Sequence, residues 1–204
     1  MILGVIPARL DSTRFPNKIL HPLNGKPIIE HVFNKSKKST LLGDLIVAVD
    51  SEKTIKNIDC SNIIMTSKLH QSGTDRVAEV ANKYNCDIVV NIQGDEPGIE
   101  PYIIDNLIKL FDDPDVNMAS VASTDLSKED LSNKNVVKVN LDRENYAISF
   151  VRNNIKEISQ YYRHVGIYAY RKKTLDIFTS LKQSTGEKEH SLEQLRAIDN
   201  NIAI

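Results

Sequence analysis

The chain has two cysteines and eight glycines in 204 residues, and each shortage closes a class of function. Cys60 and Cys86 fit neither a disulfide framework nor a close-spaced metal motif, so buried, reduced thiols are expected. The glycines form neither G-x-G-x-x-G nor G-x-x-x-x-G-K-[ST], which removes the backbone cradle used by dinucleotide-binding and P-loop proteins. No apolar run approaches the length needed to cross a bilayer, and Arg9 follows the short N-terminal apolar run instead of a basic region preceding a long one. The 26 Lys plus Arg are balanced by 27 Asp plus Glu, so no global charge gathers nucleic acid or a membrane surface. These absences predict a cytoplasmic protein with no nucleic-acid or membrane partner, in which any anion is bound locally.

What is present is enough apolar material, 41% of residues, for one sizeable core and one domain. The runs "ILGVI" (2–6), "DLIVAVD" (44–50), "NIIMT" (62–66) and "DIVVNIQ" (87–93) are β-rich, and helical patterns fill the gaps. One helix starts at Pro27, with Ile28, Ile29, Val32 and Phe33 on a face and Lys35, Lys37 and Lys38 at its end; another spans 74–84. Nearly all-apolar strands alternating with amphipathic helices predict a parallel sheet covered on both faces, with ligands at the carboxyl ends of its strands. Beyond about residue 115, "NMASVAS", "VVKVNL", "YAISFV" and "RHVGIYAY" read as antiparallel additions, with a turn at "DREN". Helices are expected at 171–181 and 187–198, and "NIAI" resembles the start of a further strand.

Three clusters fall at predicted strand ends. In "IPARLDSTRFPNK", Arg9, Arg14 and Lys18 follow the first strand, where side-chain cations can hold phosphate without a glycine cradle; solvated loop charges are the ordinary alternative. In "NIQGDEP", an apolar strand delivers Gln93, Gly94, Asp95 and Glu96, which is either a plain turn or a carboxylate site for Mg²⁺ beside substrate phosphate, with Asp95 the better ligand. In "HQSGTDR", Ser72 or Thr74 caps a helix, and the same turn exposes N–H groups suited to a nucleobase or phosphate. Further on, alternation puts His164, Gly166 and Tyr168 on one face near Arg152 and Arg163. No serine or cysteine makes a convincing nucleophile–base pair, so direct displacement at phosphorus is favoured. These residues together point to Mg²⁺-dependent nucleotidyl or phosphoryl transfer on a Rossmann-like sheet.

The segments "IPARLDSTRFPNK", "NGKPIIEHV", "IVAVD", "MTSKLHQSGTDRVAEV", "VNIQGDEP", "NVVKV", "YAISFVR", "RHVGIYAYR" and "LEQLRA" occur in the order found in the 3-deoxy-manno-octulosonate cytidylyltransferases, the CMP-Kdo synthetases, and the chain resembles that family over essentially its whole length. The resemblance implies a Rossmann-like nucleotide-diphospho-sugar transferase fold, α/β with a mostly parallel sheet, and a cytoplasmic homodimer. It implies CTP and Kdo as substrates, CMP-Kdo and diphosphate as products for lipopolysaccharide synthesis, and Mg²⁺ as cofactor. It assigns Arg9 and Lys18 to the CTP phosphates with Arg14 in support, Ser72 and Gly73 to cytosine with Arg76 close by, and Asp95 to the metal. Gln93, Arg152, His164, Tyr168, Glu193 and Gln194 resemble the Kdo pocket.

Departures from the family pattern accompany the match. The usual P-G-K-P-L reads "PNKIL", with Asn17 for glycine and Ile19 for proline, and S-R-x-x-I-P reads "VRNNIK", keeping Arg152. Family members continue beyond the position of Ile204, through a V-D-T-P-E-D-L segment whose Asp is a second metal ligand. The expectation is one cytidylyltransferase domain over 1–204 without that segment; the alternatives are activity on 8-amino-Kdo or a truncated nucleotide-binding domain with little turnover.

Overall fold

The computed structural model describes residues 1–10, 15–152, 155 and 157–204. In chain order its elements are β1 (Ile2–Ala8), β2 (Pro22–Leu23), β3 (Lys26–Pro27), α1 (Ile28–Ser36), β4 (Asp44–Val49), α2 (Glu52–Lys56), β5 (Ile63–Met65), α3 (Gly73–Ala81), β6 (Ile88–Asn91) and α4 (Pro101–Lys109). They continue as β7 (Met118–Ser123), α5 (Lys128–Ser132), β8 (Lys138–Leu141), β9 (Ala147–Val151), β10 (Tyr162–Arg171), α6 (Lys172–Ser180), α7 (Thr185–His190) and α8 (Leu195–Asp199).

Strands β5, β4, β1 and β6 run parallel in that spatial order, and β10 joins β6 antiparallel through Tyr168↔Asn91. Leu3 and Val5 of β1 face a core with Val77 and Val80 of α3, whereas Ile6 and Ala8 face a second core with Val32 of α1 and Ile104 of α4. The alternation of an all-apolar strand therefore divides two helical layers, as expected for a sheet buried on both faces. Short helix α2 falls in the gap between the runs 44–50 and 62–66, where a helical pattern is expected, whereas α4, with Pro101 in its first turn, and short helix α5 lie outside the stretches read as helical. Cys86 is buried and Cys60 partly so, both free; burial first, then Glu30 and Asp59, pushes the Cys60 thiol up to about 12.

The antiparallel half creates a gap. One edge of β10 is bordered by β6 along 168–171 and by β8 at Tyr162 and Arg163, so β8 resumes the position that β6 gives up. On its other edge β10 follows β7 with a register shift, from Val165↔Val121 to Tyr168↔Ser120, and the intervening residues bulge. Bulges re-aim side chains, and here the bulge opens beside the carboxyl end of β6.

The expected helix 187–198 is two helices. Ser191 takes a left-handed conformation, φ 52°, closing α7, and the chain turns before α8 begins at Leu195. A single helix would have placed Leu192, Leu195 and Ile198 on one stripe; the break instead turns Leu192 into the core and leaves Glu193 and Gln194 at the turn. The closing residues form no assigned strand, although the Ala147 N–H donates to the Ile204 carbonyl at 2.8 Å, beside β9.

Candidate active site

Three strand-end segments converge at β1. Gly94 follows β6, and a Cβ there would stand 3.0 Å from the Pro7 carbonyl oxygen, so a side chain would press on the β1 backbone that the turn approaches. The approach brings Asp95 to Lys18, whose Nζ donates to Oδ2 at 2.6 Å with both side chains 40% exposed. Lys18 itself is aimed by Asn17, which sits at φ 55°, a left-handed conformation that asparagine tolerates better than most residues. Asn17 thus supplies a left-handed backbone without a glycine, and Ile19, two residues on, is buried in the core.

The third segment is the turn into α3. Ser72 caps the helix by accepting the Asp75 N–H at 3.0 Å, and Asp75 accepts the Ser72 N–H at 3.1 Å. The first turn of this nine-residue helix borders a cavity of about 280 Å³ whose walls include Arg9, Ser72, Gly73, Gln93 and Glu193. Arg76 also reaches this wall, but its guanidinium is committed to the protein: it donates to Asp50 Oδ2 at 3.0 Å, to the Ser67 carbonyl at 3.2 Å and to the Thr66 hydroxyl. Asp50 Oδ1 in turn accepts the Leu10 N–H at 3.1 Å, so Arg76 steadies the loop that follows Arg9.

A larger cavity, about 470 Å³, opens at the β10 bulge and shares Gln93 and Glu193 with the first. Its walls add Gly166, Tyr168, His164, Gln194 and Arg163. Burial pulls His164 down to about 4, so the imidazole is neutral at neutral pH. Burial, with Glu193 nearby, holds the Tyr168 phenol protonated. Burial also raises the Glu193 carboxyl, against a 2.6 Å bond from the Thr74 hydroxyl that ties this wall to the first turn of α3. Gln194 is buried, and its Nε2 has no partner among the described residues.

The geometry thus groups Arg9, Ser72 and Gly73 at one cavity, His164, Tyr168 and Gln194 at the other, and Gln93 and Glu193 at their junction, with Lys18 and Asp95 paired on the adjoining loops. Arg152 lies apart from both sets of walls; it donates to the Lys134 carbonyl at 3.0 Å and the Ser191 carbonyl at 3.3 Å, bracing the loops beside the larger cavity. Arg14 lies outside the described residues. Sequence reasoning missed Lys138, which is fully buried and donates to the carbonyls of Asn133 at 2.9 Å and Arg152 at 2.7 Å. Its signal, a lone lysine inside "VVKVNL", also fits an ordinary edge-strand charge.

Among the described residues no group of three or more His, Cys, Asp or Glu is gathered to hold a metal. An oxygen-seeking Mg²⁺ needs only one or two carboxylates when substrate phosphates supply the rest, and half-exposed Asp95 beside the Lys18 loop fits that donor set.

Residues 3–204 match the cytidylyltransferase family model. The chain is 40% identical to the 3-deoxy-manno-octulosonate cytidylyltransferase of Koribacter versatilis over 99% of its own length and 80% of the relative's. It is 38% identical to that of Geobacter sulfurreducens, over 100% and 89% of the two chains. Among solved structures, CMP:2-keto-3-deoxy-manno-octonic acid synthetase complexed with CTP superposes with a TM-score of 0.91 at 35% identity, covering 100% of this chain and 87% of that one. A cytidylyltransferase from Leptospira borgpetersenii, TM-score 0.61 at 18% identity over 98% of this chain and 71% of that one, shares the fold. The chain belongs to the 3-deoxy-manno-octulosonate cytidylyltransferase family.

Proposed function

We propose that the protein transfers the cytidylyl group of CTP to 3-deoxy-manno-octulosonate (Kdo), giving CMP-Kdo and diphosphate for lipopolysaccharide synthesis. The observation that carries this reading is the junction of two cavities at Gln93 and Glu193, one edged by a cationic loop and a helix N-terminus, the other by desolvated neutral groups. Such a junction lets a nucleotide and a polyhydroxylated acid meet with the α-phosphorus and the anomeric hydroxyl face to face. The relatives' shared name favours Kdo over its 8-amino analogue.

In this reading Arg9 and Lys18 hold the triphosphate, with Arg14 in support, and Ser72 and Gly73 meet the cytosine while Arg76 steadies the adjoining loops. His164, Tyr168, Gln93, Glu193 and Gln194 orient the sugar acid, and Arg152 braces the pocket's rim. The anomeric hydroxyl attacks the α-phosphorus, its proton passing to solvent, as the bond to the diphosphate breaks; Arg9 and Lys18 stabilise the charge that builds on the phosphoryl and leaving-group oxygens. Asp95 would hold Mg²⁺, which when bound neutralises phosphate charge. A cytoplasmic homodimer belongs to the same reading: the exposed apolar residues Leu110 and Tyr162 line an apolar cavity of about 320 Å³, a surface that a second copy would cover.

Purified protein should release diphosphate only when CTP, Kdo and Mg²⁺ are present together. Asp95→Ala should lower kcat by about a hundredfold or more while calorimetry still registers CTP binding. Wild-type protein that binds CTP but releases no diphosphate under these conditions would overturn the reading.

A further inference from the structure

Ser120 stands opposite Tyr168 where β7 crosses the β10 bulge. Its Oγ lies 2.9 Å from the Ile167 carbonyl oxygen, 3.4 Å from that of Val165 and 2.9 Å from His164 Nε2. A hydroxyl has one hydrogen and two lone pairs, and a carbonyl can only accept. The hydrogen therefore goes to Ile167, pinning the bulge, and Ser120 can meet His164 only by accepting a proton carried on Nε2. The same donation argues against Ser120 as a nucleophile activated by the imidazole.

The imidazole is held in place by its neighbours. Phe150 meets it edge-on at a centroid distance of 5.0 Å and an interplanar angle of 76°, and Tyr168 lies 5.5 Å away. Nδ1 makes no hydrogen bond among the described residues, and His164 stands between two cavities, lining both the larger one and the 320 Å³ one. A neutral imidazole protonated at Nε2 has a bare lone pair at Nδ1, the acceptor needed to read a sugar hydroxyl.

We propose that Ser120 is a positioning residue for His164: it fixes the Nε2–H tautomer and so keeps Nδ1 as an acceptor for a hydroxyl of the sugar acid. This rests on the larger cavity being the Kdo site, whereas the tautomer itself does not.

Long-range ¹⁵N–¹H correlation spectra of ligand-free protein should show His164 as the Nε2–H tautomer. In Ser120→Ala the tautomers should become mixed, and KM for Kdo should rise about tenfold, the equivalent of one hydrogen bond of about 1.4 kcal/mol, with kcat and KM for CTP near wild type. Ser120→Thr, which keeps the hydroxyl, should restore both. Wild-type His164 found as Nδ1–H overturns the inference even if Ser120→Ala does not fold. So does an unchanged KM for Kdo in folded Ser120→Ala when His164→Ala raises it. An unchanged KM in His164→Ala would instead count against the Kdo reading of the cavity.

Discussion

The parallel and antiparallel halves of the sheet treat charge in opposite ways. At the carboxyl ends of β1 and β6 the working groups are exposed: Arg9 lies in solvent, and Lys18 and Asp95 form a pair of which 40% of each side chain is accessible. Around β10 they are desolvated: Tyr168 and Gln194 are buried, His164 is kept neutral, and Glu193 is raised by burial. A triphosphate brings its own charge, so mobile cations on loops suffice to hold it. Discriminating hydroxyls requires polar groups that lose a partner when the wrong ligand binds, and that penalty is large only where water is excluded. The two halves therefore differ in what a lost charge should cost the fold.

The sharpest contrast is between Arg196 and Lys18. Arg196 of α8 donates to both carboxylate oxygens of Glu187, at 2.8 and 2.7 Å, and its guanidinium lies 4.8 Å over Phe178. Both partners are almost fully buried, so Arg196→Met strands a carboxylate in the core and should cost about 3–5 kcal/mol in urea unfolding. Lys18→Met cuts an exposed pair and should cost no more than about 1 kcal/mol of stability, although it removes a phosphate contact. Similar losses from the two variants would break the comparison.

Acidification gives the next largest effect and again separates the halves. In the unfolded chain His164 takes up its proton near 6.5, whereas in the fold burial defers this to about 4. Between those values the unfolded state binds more protons, so this residue's contribution is intact above about pH 6.5 and is lost as pH falls towards 4. The loss is on the order of 3 kcal/mol. Urea titrations at several pH values should show wild type losing more stability over this window than His164→Asn. Parallel curves would mean that His164 protonates in the fold as easily as in water.

This difference also determines how much was legible in the sequence. The parallel half is local: "ILGVI" runs directly into Arg9, Ser72 caps the helix it precedes, and Gly94 and Asp95 follow their strand, so order along the chain predicts the site. The parallel sheet with antiparallel additions followed from the same alternation. Around β10 the determinants are distant in sequence. Nothing near Ser191 announces a left-handed break in a helical pattern, nothing in "VVKVNL" announces a buried lysine, and Arg152 is turned to carbonyls of residues 134 and 191. Thr74 was visible as a cap candidate, yet its bond to Glu193 spans 119 positions and depends on how the two halves pack.

The smallest expected effect tests whether the opening loop is as tolerant as its exposure implies. Asn17 holds φ 55° immediately before Lys18, with no side-chain cap bond to the following turn, so the backbone shape rather than the amide group is what the position supplies. Asn17→Gly keeps that shape and should leave KM for CTP within about twofold, because glycine enters the left-handed region freely. Asn17→Val should cost about 1–2 kcal/mol in presenting Lys18, since a β-branched residue meets the full penalty of the left-handed region. That cost should appear as a higher KM for CTP with little change in KM for Kdo, because Lys18 belongs to the parallel half. Initial-rate measurements with each substrate varied in turn distinguish the two; an equal rise in both KM values would show that the loop and the β10 bulge respond as one unit.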